Sequence, residues 1–269
     1  MTSSRAFASY NLWSLVVPSP GQQKLHCQMR RGFIKAKQGD PLVKKLIKNA
    51  TPAQRIGLLA QKGVYEFHHN RDLLNRIDGV DKVANLLKLN HDHSVVQQRV
   101  LNILQNYYQS PFLSGKRIIL LTRGDEGYPK PIFILKENYG FRLYAAMDAV
   151  FVDTSGILHI LDFKTGKSAF DRRQALVYLL AARYLYPEYK AIAYFYNLEQ
   201  CQKSELIRVT KNELNEVERH LANIANQHQK DIQTYELDNR KFHEIFPANP
   251  GNHCKFCPFN SICEFSSLV

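Results

Sequence analysis

The chain predicts a mixed α/β fold, a central β-sheet of mixed direction flanked by helices, and three features of the sequence carry that expectation. Apolar runs bounded by turn residues mark strands, most clearly at 144–152 and 157–164 on either side of Asp153-Thr154-Ser155-Gly156. Apolar residues at helical spacing mark helices, as at Val96, Val100, Ile103 and Tyr107. The two kinds of segment interleave along the chain, which is the pattern of an α/β protein. With 269 residues, 45% of them hydrophobic, the chain can bury a sizeable core as a single domain.

Residues 1–50 read as irregular, broken at Pro18-Ser19-Pro20-Gly21 and then basic over 24–37. That basic stretch is either a solvated face or a phosphate-contacting surface around Cys27. The first residues, with one basic side chain before Pro18, make a poor secretory signal. Thr51-Pro52-Ala53-Gln54 is a capping box, and Ile56, Leu59, Gly63 and Phe67 continue it at helical spacing. Strands are expected at 117–122 and 131–135 around Gly124-Asp125-Glu126-Gly127. After the hairpin come a helix from about 171 to 186, stopped by Pro187, and a strand at 191–196. Thr210 and Glu213 form a second capping box, opening a helix with Leu214, Val217, Leu221 and Ile224 on one side. No internal repeat or low-complexity linker interrupts this order.

Lys and Arg number 36 against 24 Asp and Glu, so the net charge of +12 favours an anionic partner, nucleic acid before a membrane surface. No apolar run reaches the roughly 18 residues of a membrane span, and a cytoplasmic protein with reduced thiols is expected. Three of the five cysteines cluster as Cys254-x2-Cys257-x5-Cys263. In a reducing compartment such a cluster reads as metal binding rather than as disulfides.

The chemistry gathers between 144 and 178. Alternation puts Tyr144, Ala146, Asp148, Val150 and Val152 on one face of the first strand, and Leu158, Ile160, Asp162 and Lys164 on one face of the second. Asp148 and Asp162 are 14 residues apart, a separation that brings them together across an antiparallel pair. Two buried carboxylates beside a lysine are costly unless they pair or hold an ion. They suit Mg2+, and the lysine could orient a water or offset charge on phosphorus. The plainer alternative is an Asp162–Lys164 ion pair with Asp148 incidental. Gln174 and Tyr178, four apart, share a helical face that could present an amide and a phenol to a nucleic-acid backbone.

Asp148, then Asp162-Phe163-Lys164, then Gln174-x-x-x-Tyr178 resembles the PD-(D/E)XK nuclease superfamily, specifically its RecB-like branch with a Q-x-x-x-Y motif. The resemblance implies a restriction-endonuclease-like core at about 51–200 within one domain of residues 1–269. It implies that Asp148 and Asp162 bind divalent metal, Mg2+ or Mn2+, with the Phe163 backbone carbonyl as a further ligand. Lys164 would assist hydrolysis, and Gln174 and Tyr178 would flank the DNA channel. Met147 stands where the superfamily's name has Pro. RecB-like nucleases often carry Gly, three residues, then a metal-binding His. Here Gly63 is followed by Glu66 and His68 out of step, so either could supply that ligand, or both could be helix-surface residues.

The tail is similar to those of AddB nuclease domains and CRISPR-associated RecB-like exonucleases, which bind a 4Fe-4S cluster. That resemblance implies a cluster held by Cys27 with Cys254, Cys257 and Cys263, clipping the C-terminal region 201–269 to the N-terminal segment. Zinc held by the three tail cysteines with His253, His26 or Cys27 is the rival, and Cys201 is expected to be an ordinary thiol. Thr165-Gly166-Lys167-Ser168 looks like the end of a phosphate-binding loop, but the required first glycine is Leu161. An ATP-driven motor would therefore be another chain.

The expected activity is a metal-dependent deoxyribonuclease, an exonuclease of DNA repair, recombination or defence. A helicase or a recombination or defence protein is the expected protein partner, and no membrane is involved. A non-catalytic DNA-binding or partner-docking protein that keeps the fold, and an RNA-processing nuclease, are the alternatives.

Overall fold

A computed structural model describes residues 6–48, 50–167 and 170–266. The first five residues and Ser168 of the loop-like motif lie outside them. Along the chain the elements are β1 (Phe7–Ser9), α1 (Tyr10–Val16), α2 (Gln28–Lys35), α3 (Pro41–Lys48), α4 (Pro52–His69), α5 (Gly79–Leu86) and α6 (Ser94–Gln109). There follow β2 (Arg117–Leu121), β3 (Ile132–Leu135), β4 (Gly140–Tyr144), β5 (Ala149–Val152), β6 (Leu158–Lys164), α7 (Arg172–Leu185), β7 (Ala191–Asn197), β8 (Gln202–Lys203), α8 (Lys211–Leu237) and α9 (Phe242–Ile245). The fold is mixed α/β, with two mixed sheets flanked by helices. No helix among the described residues is long and apolar enough to cross a membrane.

The chain divides into two compact units, one of Ala50–Lys130 and Ala145–Leu214, the other of Met1–Asn49, Pro131–Tyr144 and Asn215–Val269. The first holds a five-stranded sheet ordered β2-β5-β6-β7-β8. β5 and β6 are the expected hairpin, antiparallel with Ala149 opposite Leu161. Its turn is held by Asp153, whose Oδ1 accepts from the Ser155 and Ile157 N–H groups, and by Gly156 at φ +80°. β6 then runs parallel to β7 after the α7 crossover, as a parallel pair requires. Leu161 and Phe163 of β6 enter a core with Ile56, Leu59 and Phe67 of α4 and Val100, Ile103 and Tyr107 of α6. By alternation Asp162 and Lys164 point to the opposite face, where α7 packs on β6 and β7.

The capping box at Thr51 and Gln54 forms as expected, and so does the pairing of Thr210 with Glu213 ahead of α8. Gly63 has a packing reason, since a Cβ there would lie 2.2 Å from Leu104 Cδ2. It lets α4 and α6 approach closely.

In the other unit a three-stranded sheet is ordered β1-β4-β3, with β1 parallel and β3 antiparallel to β4. Two expectations are corrected here. Residues 1–50 are not irregular: α2 and α3 form because Met29, Phe33 and Val43 find a core in Phe242, Phe246 and Phe259, far along the chain. The single strand expected over 144–152 is two strands, β4 and β5, of different sheets. Its apolar continuity hides the change of sheet at Ala145–Asp148. Likewise β2 and β3 do not pair with each other, and each joins a different sheet.

The N-terminal segment and the tail of this unit are tied by one backbone bond and by the Asn249 side chain. The Met29 N–H donates to the Pro247 carbonyl at 3.2 Å, and Asn249 Nδ2 donates to the carbonyls of Lys24 and His26. Buried Arg31 of α2 reaches α8, donating to Asp231 Oδ2 at 2.8 Å and to His228 Nδ1 at 3.2 Å.

Candidate active site

Ala149 faces Leu161 in the β5–β6 pair, and one residue further the register sets Asp148 against Asp162. Asp148 sits in the bend that opens β5. Its Oδ2 accepts the Phe163 N–H at 2.7 Å and its Oδ1 accepts Gln61 Nε2 at 3.0 Å. Asp162, only 3% exposed, receives α7. Its Oδ1 accepts from Gln174 Nε2 at 2.6 Å and from Tyr178 Oη at 2.9 Å. Gln174 Nε2 also donates to Tyr178 Oη at 2.7 Å, and Gln174 Oε1 accepts from Lys164 Nζ at 2.9 Å. α7 can deliver both groups because Asp171 caps its first turn and residues 174 and 178 stack one turn apart.

The electrostatics are strained in one direction. Burial first, then the charge of Asp162, pushes the Asp148 carboxyl well above the ordinary range, against the pull of the Phe163 N–H, Lys164 and Gln61. Burial also raises Asp162, although Lys164 and Tyr178 favour its ionised form. Tyr178 is raised well above a free phenol by burial and by both aspartates. Lys164 Nζ stands 2.5 Å from Asp162 Oδ2 as its countercharge.

Two buried carboxylates whose charges oppose one another fit a divalent cation, which would relieve the repulsion. Among the described residues no three His, Cys, Asp or Glu side chains gather as a metal site. The protein would thus offer two carboxylates and leave other positions to backbone, water or substrate oxygens, as Mg2+ sites commonly do.

Of the residues singled out from sequence, Asp148, Asp162, Lys164, Gln174 and Tyr178 come together, with Phe163 joining through its N–H. Their polar ends meet one another: Gln174 and Tyr178 are turned onto Asp162. His68 does not join them. Its Nε2 lies 2.6 Å from Tyr107 Oη, and burial, then Arg71, lowers its imidazole to about 4. Glu66 is not among the hydrogen-bond partners of either aspartate. The α4 residue that does reach the site is Gln61, which sequence reasoning missed. Gly57, three residues, then Gln61 keeps the spacing sought at Gly63, with an amide where an imidazole was expected.

The cysteines lie in the other unit. Cys27 is the N-cap residue of α2, and Cys27, Cys257 and Cys263 pack against the Met29, Phe33 and Phe259 core. Burial, with Cys27 and Cys263 as neighbours, raises the Cys257 thiol against the pull of Arg30, and burial with Cys27 and Cys254 raises Cys263. The charges of Cys27 and Cys263 reach Cys257, and those of Cys27 and Cys254 reach Cys263, but among the described residues no three of these thiols gather as a metal site. Cys201 belongs to the unit of the five-stranded sheet, with its Sγ 4.0 Å from the Leu198 carbonyl.

Comparison with curated proteins finds no match. Among solved structures, one described as "Crystal structure of SSO0001" is 12% identical, covering 84% of this chain and 94% of its own, with a TM-score of 0.31. A likeness that slight supports neither fold nor function. The family model of the PD-(D/E)XK nuclease superfamily matches residues 45–264, a span that contains every one of the converging side chains, and the chain belongs to that superfamily.

Proposed function

We propose that this protein is a divalent-metal-dependent deoxyribonuclease of the RecB-like branch, an exonuclease acting at DNA ends in repair, recombination or defence in the cytoplasm. Superfamily membership supports a hydrolytic nuclease with a nucleic-acid substrate. The observation that carries the reading is the hydrogen-bonded set of Asp162, Lys164, Gln174 and Tyr178 at one strand end, with the Asp148 carboxylate bound to the adjacent Phe163 N–H. A protein that only bound DNA would have no need to keep this buried, mutually repelling pair of carboxylates.

Asp148 and Asp162 would hold Mg2+ or Mn2+, with the Phe163 carbonyl beside them. When bound, the ion supplies a water of lowered pKa and neutralises charge on the phosphate. Lys164 orients the attacking water and offsets charge developing on phosphorus. Gln174 and Tyr178 hold Asp162 through Oδ1, while Oδ2 faces Lys164.

The same reading takes Cys27, Cys254, Cys257 and Cys263 as ligands of a 4Fe-4S cluster. Support comes from the spacing of the four cysteines in the sequence and from the hydrogen bonds that tie residues 24–29 to 247–249. Cleavage of single- and double-stranded DNA labelled at either end, with Mg2+, Mn2+ or chelator, tests the activity and its polarity. Loss of labelled ends only with metal, and not in Asp162→Ala, is the expected result. Equal cleavage by Asp162→Ala would sink the assignment.

A further inference from the structure

We propose that Gln61 is the positioning residue of the metal site, a neutral amide that aims the Asp148 carboxylate; this rests on the metal-dependent reading above. Gln61 reaches from α4 and places Nε2 at 3.0 Å from Asp148 Oδ1, 3.0 Å from Thr122 Oγ1 and 3.3 Å from the Thr122 carbonyl. Thr122 is itself tied to the same bend. Its N–H donates to the Asp148 carbonyl at 2.9 Å, and its Oγ1 lies 3.3 Å from the carbonyls of Met147 and Asp148. Beyond the amide, Gly124 adopts φ +83°, and a Cβ there would lie 2.6 Å from Gln61 Oε1. The backbone at Gly124 thus leaves just the room the amide needs.

The consequence is geometric. Asp148 has one donor on each oxygen, the Phe163 N–H on Oδ2 and Gln61 Nε2 on Oδ1. Each carboxylate oxygen has two lone-pair directions, so one on each is taken by protein and the other is left for a cation. The carboxylate cannot swing without breaking bonds to two separate elements, β6 and α4. Because Gln61 is uncharged, it orients Asp148 without adding a third negative charge to the pair. Hydrogen-bond partners behind a metal ligand typically govern affinity by 10–100-fold, and that is the size of effect expected here.

The test is titration of Mn2+ alone into the full chain, with free ion read by electron paramagnetic resonance and folding checked by thermal melting. The wild-type protein should bind Mn2+ in a manner lost in Asp162→Ala. Gln61→Met should weaken that binding by about 10–100-fold while metal-free DNA affinity stays unchanged. Thr122→Val, which removes the hydroxyl anchoring the amide, should shift binding the same way and serves if Gln61→Met does not fold. Absence of Asp162-dependent Mn2+ binding in the wild type would overturn the metal reading and this role together. Wild-type Mn2+ affinity in folded Gln61→Met would overturn the positioning role alone. Undiminished affinity in Gln61→Glu would do so too, since position 61 would then act as an oxygen ligand.

Discussion

Tyr178 donates its phenolic hydrogen to Asp162 Oδ1 at 2.9 Å, so α7 holds the carboxylate that β6 supplies. The hydroxyl is buried with the acid, and both are raised by the same burial. In Tyr178→Phe the ring packing survives and the bond to a buried carboxylate does not. A hydrogen bond to a charged group is worth about 1.5–3 kcal/mol, so kcat should fall about tenfold or more with KM for DNA little changed. A rise in KM with kcat preserved would instead mean that Tyr178 touches the nucleic acid directly.

Asp162→Ala removes one of the two carboxylates and leaves Lys164 without its countercharge. Cleavage should be nearly abolished while DNA binding persists or strengthens as negative charge leaves the strand end. Lys164→Ala should lower turnover more than metal affinity, because the ammonium is not a ligand. Matched measurements of kcat and of half-saturating Mg2+ separate the two effects.

The cysteine assignment predicts that protein purified without oxygen is brown and carries about four irons per chain, as a four-thiolate cluster requires. Cys27→Ala should lose the iron as completely as Cys257→Ala, since a four-thiolate cluster needs both. Cys201→Ala should retain it. Colourless anaerobic protein with one stoichiometric zinc would replace the cluster by a zinc clip, and full iron in Cys27→Ala would disconnect the two ends.

His228, 3% exposed, accepts a hydrogen bond from Arg31 through Nδ1, which only a neutral ring can do. Burial, then Arg31 and Lys35, lowers its pKa to about 4, with Asp231 opposing. An unfolded histidine titrates near 6.5, so between 6.5 and 4 the unfolded chain takes up a proton that the folded one refuses. The stabilisation is therefore present above pH ~6.5 and lost as pH falls toward ~4, by at most about 3 kcal/mol. Denaturant melts of the wild type and His228→Gln across that window should show a shallower acid slope in the variant. Parallel slopes would remove His228 as a source of the pH dependence.

The α/β class, the β5–β6 hairpin, both capping boxes and the converging set Asp148, Asp162, Lys164, Gln174 and Tyr178 were legible in the sequence. The hairpin, the caps and the shared faces rest on local periodicity, two residues per strand repeat and about 3.6 per helical turn, whereas the site set was carried by the resemblance of its motifs to the superfamily. What the tertiary structure alone decided was everything that depends on distant partners. α2 and α3 were invisible because their apolar faces are completed by Phe242, Phe246 and Phe259, more than 200 residues on from α2. The break between β4 and β5 was invisible because an apolar run has the same alternation whichever sheet receives it. Gly63 drew attention as a motif, whereas its position against Leu104 is a packing requirement. His68 shares α4 with Gln61, but only the packing of that helix on the sheet turns the amide to Asp148 and the imidazole to Tyr107. A sequence fixes which residues share a helix face, while the rotation of that face toward a site is set by the core it must bury.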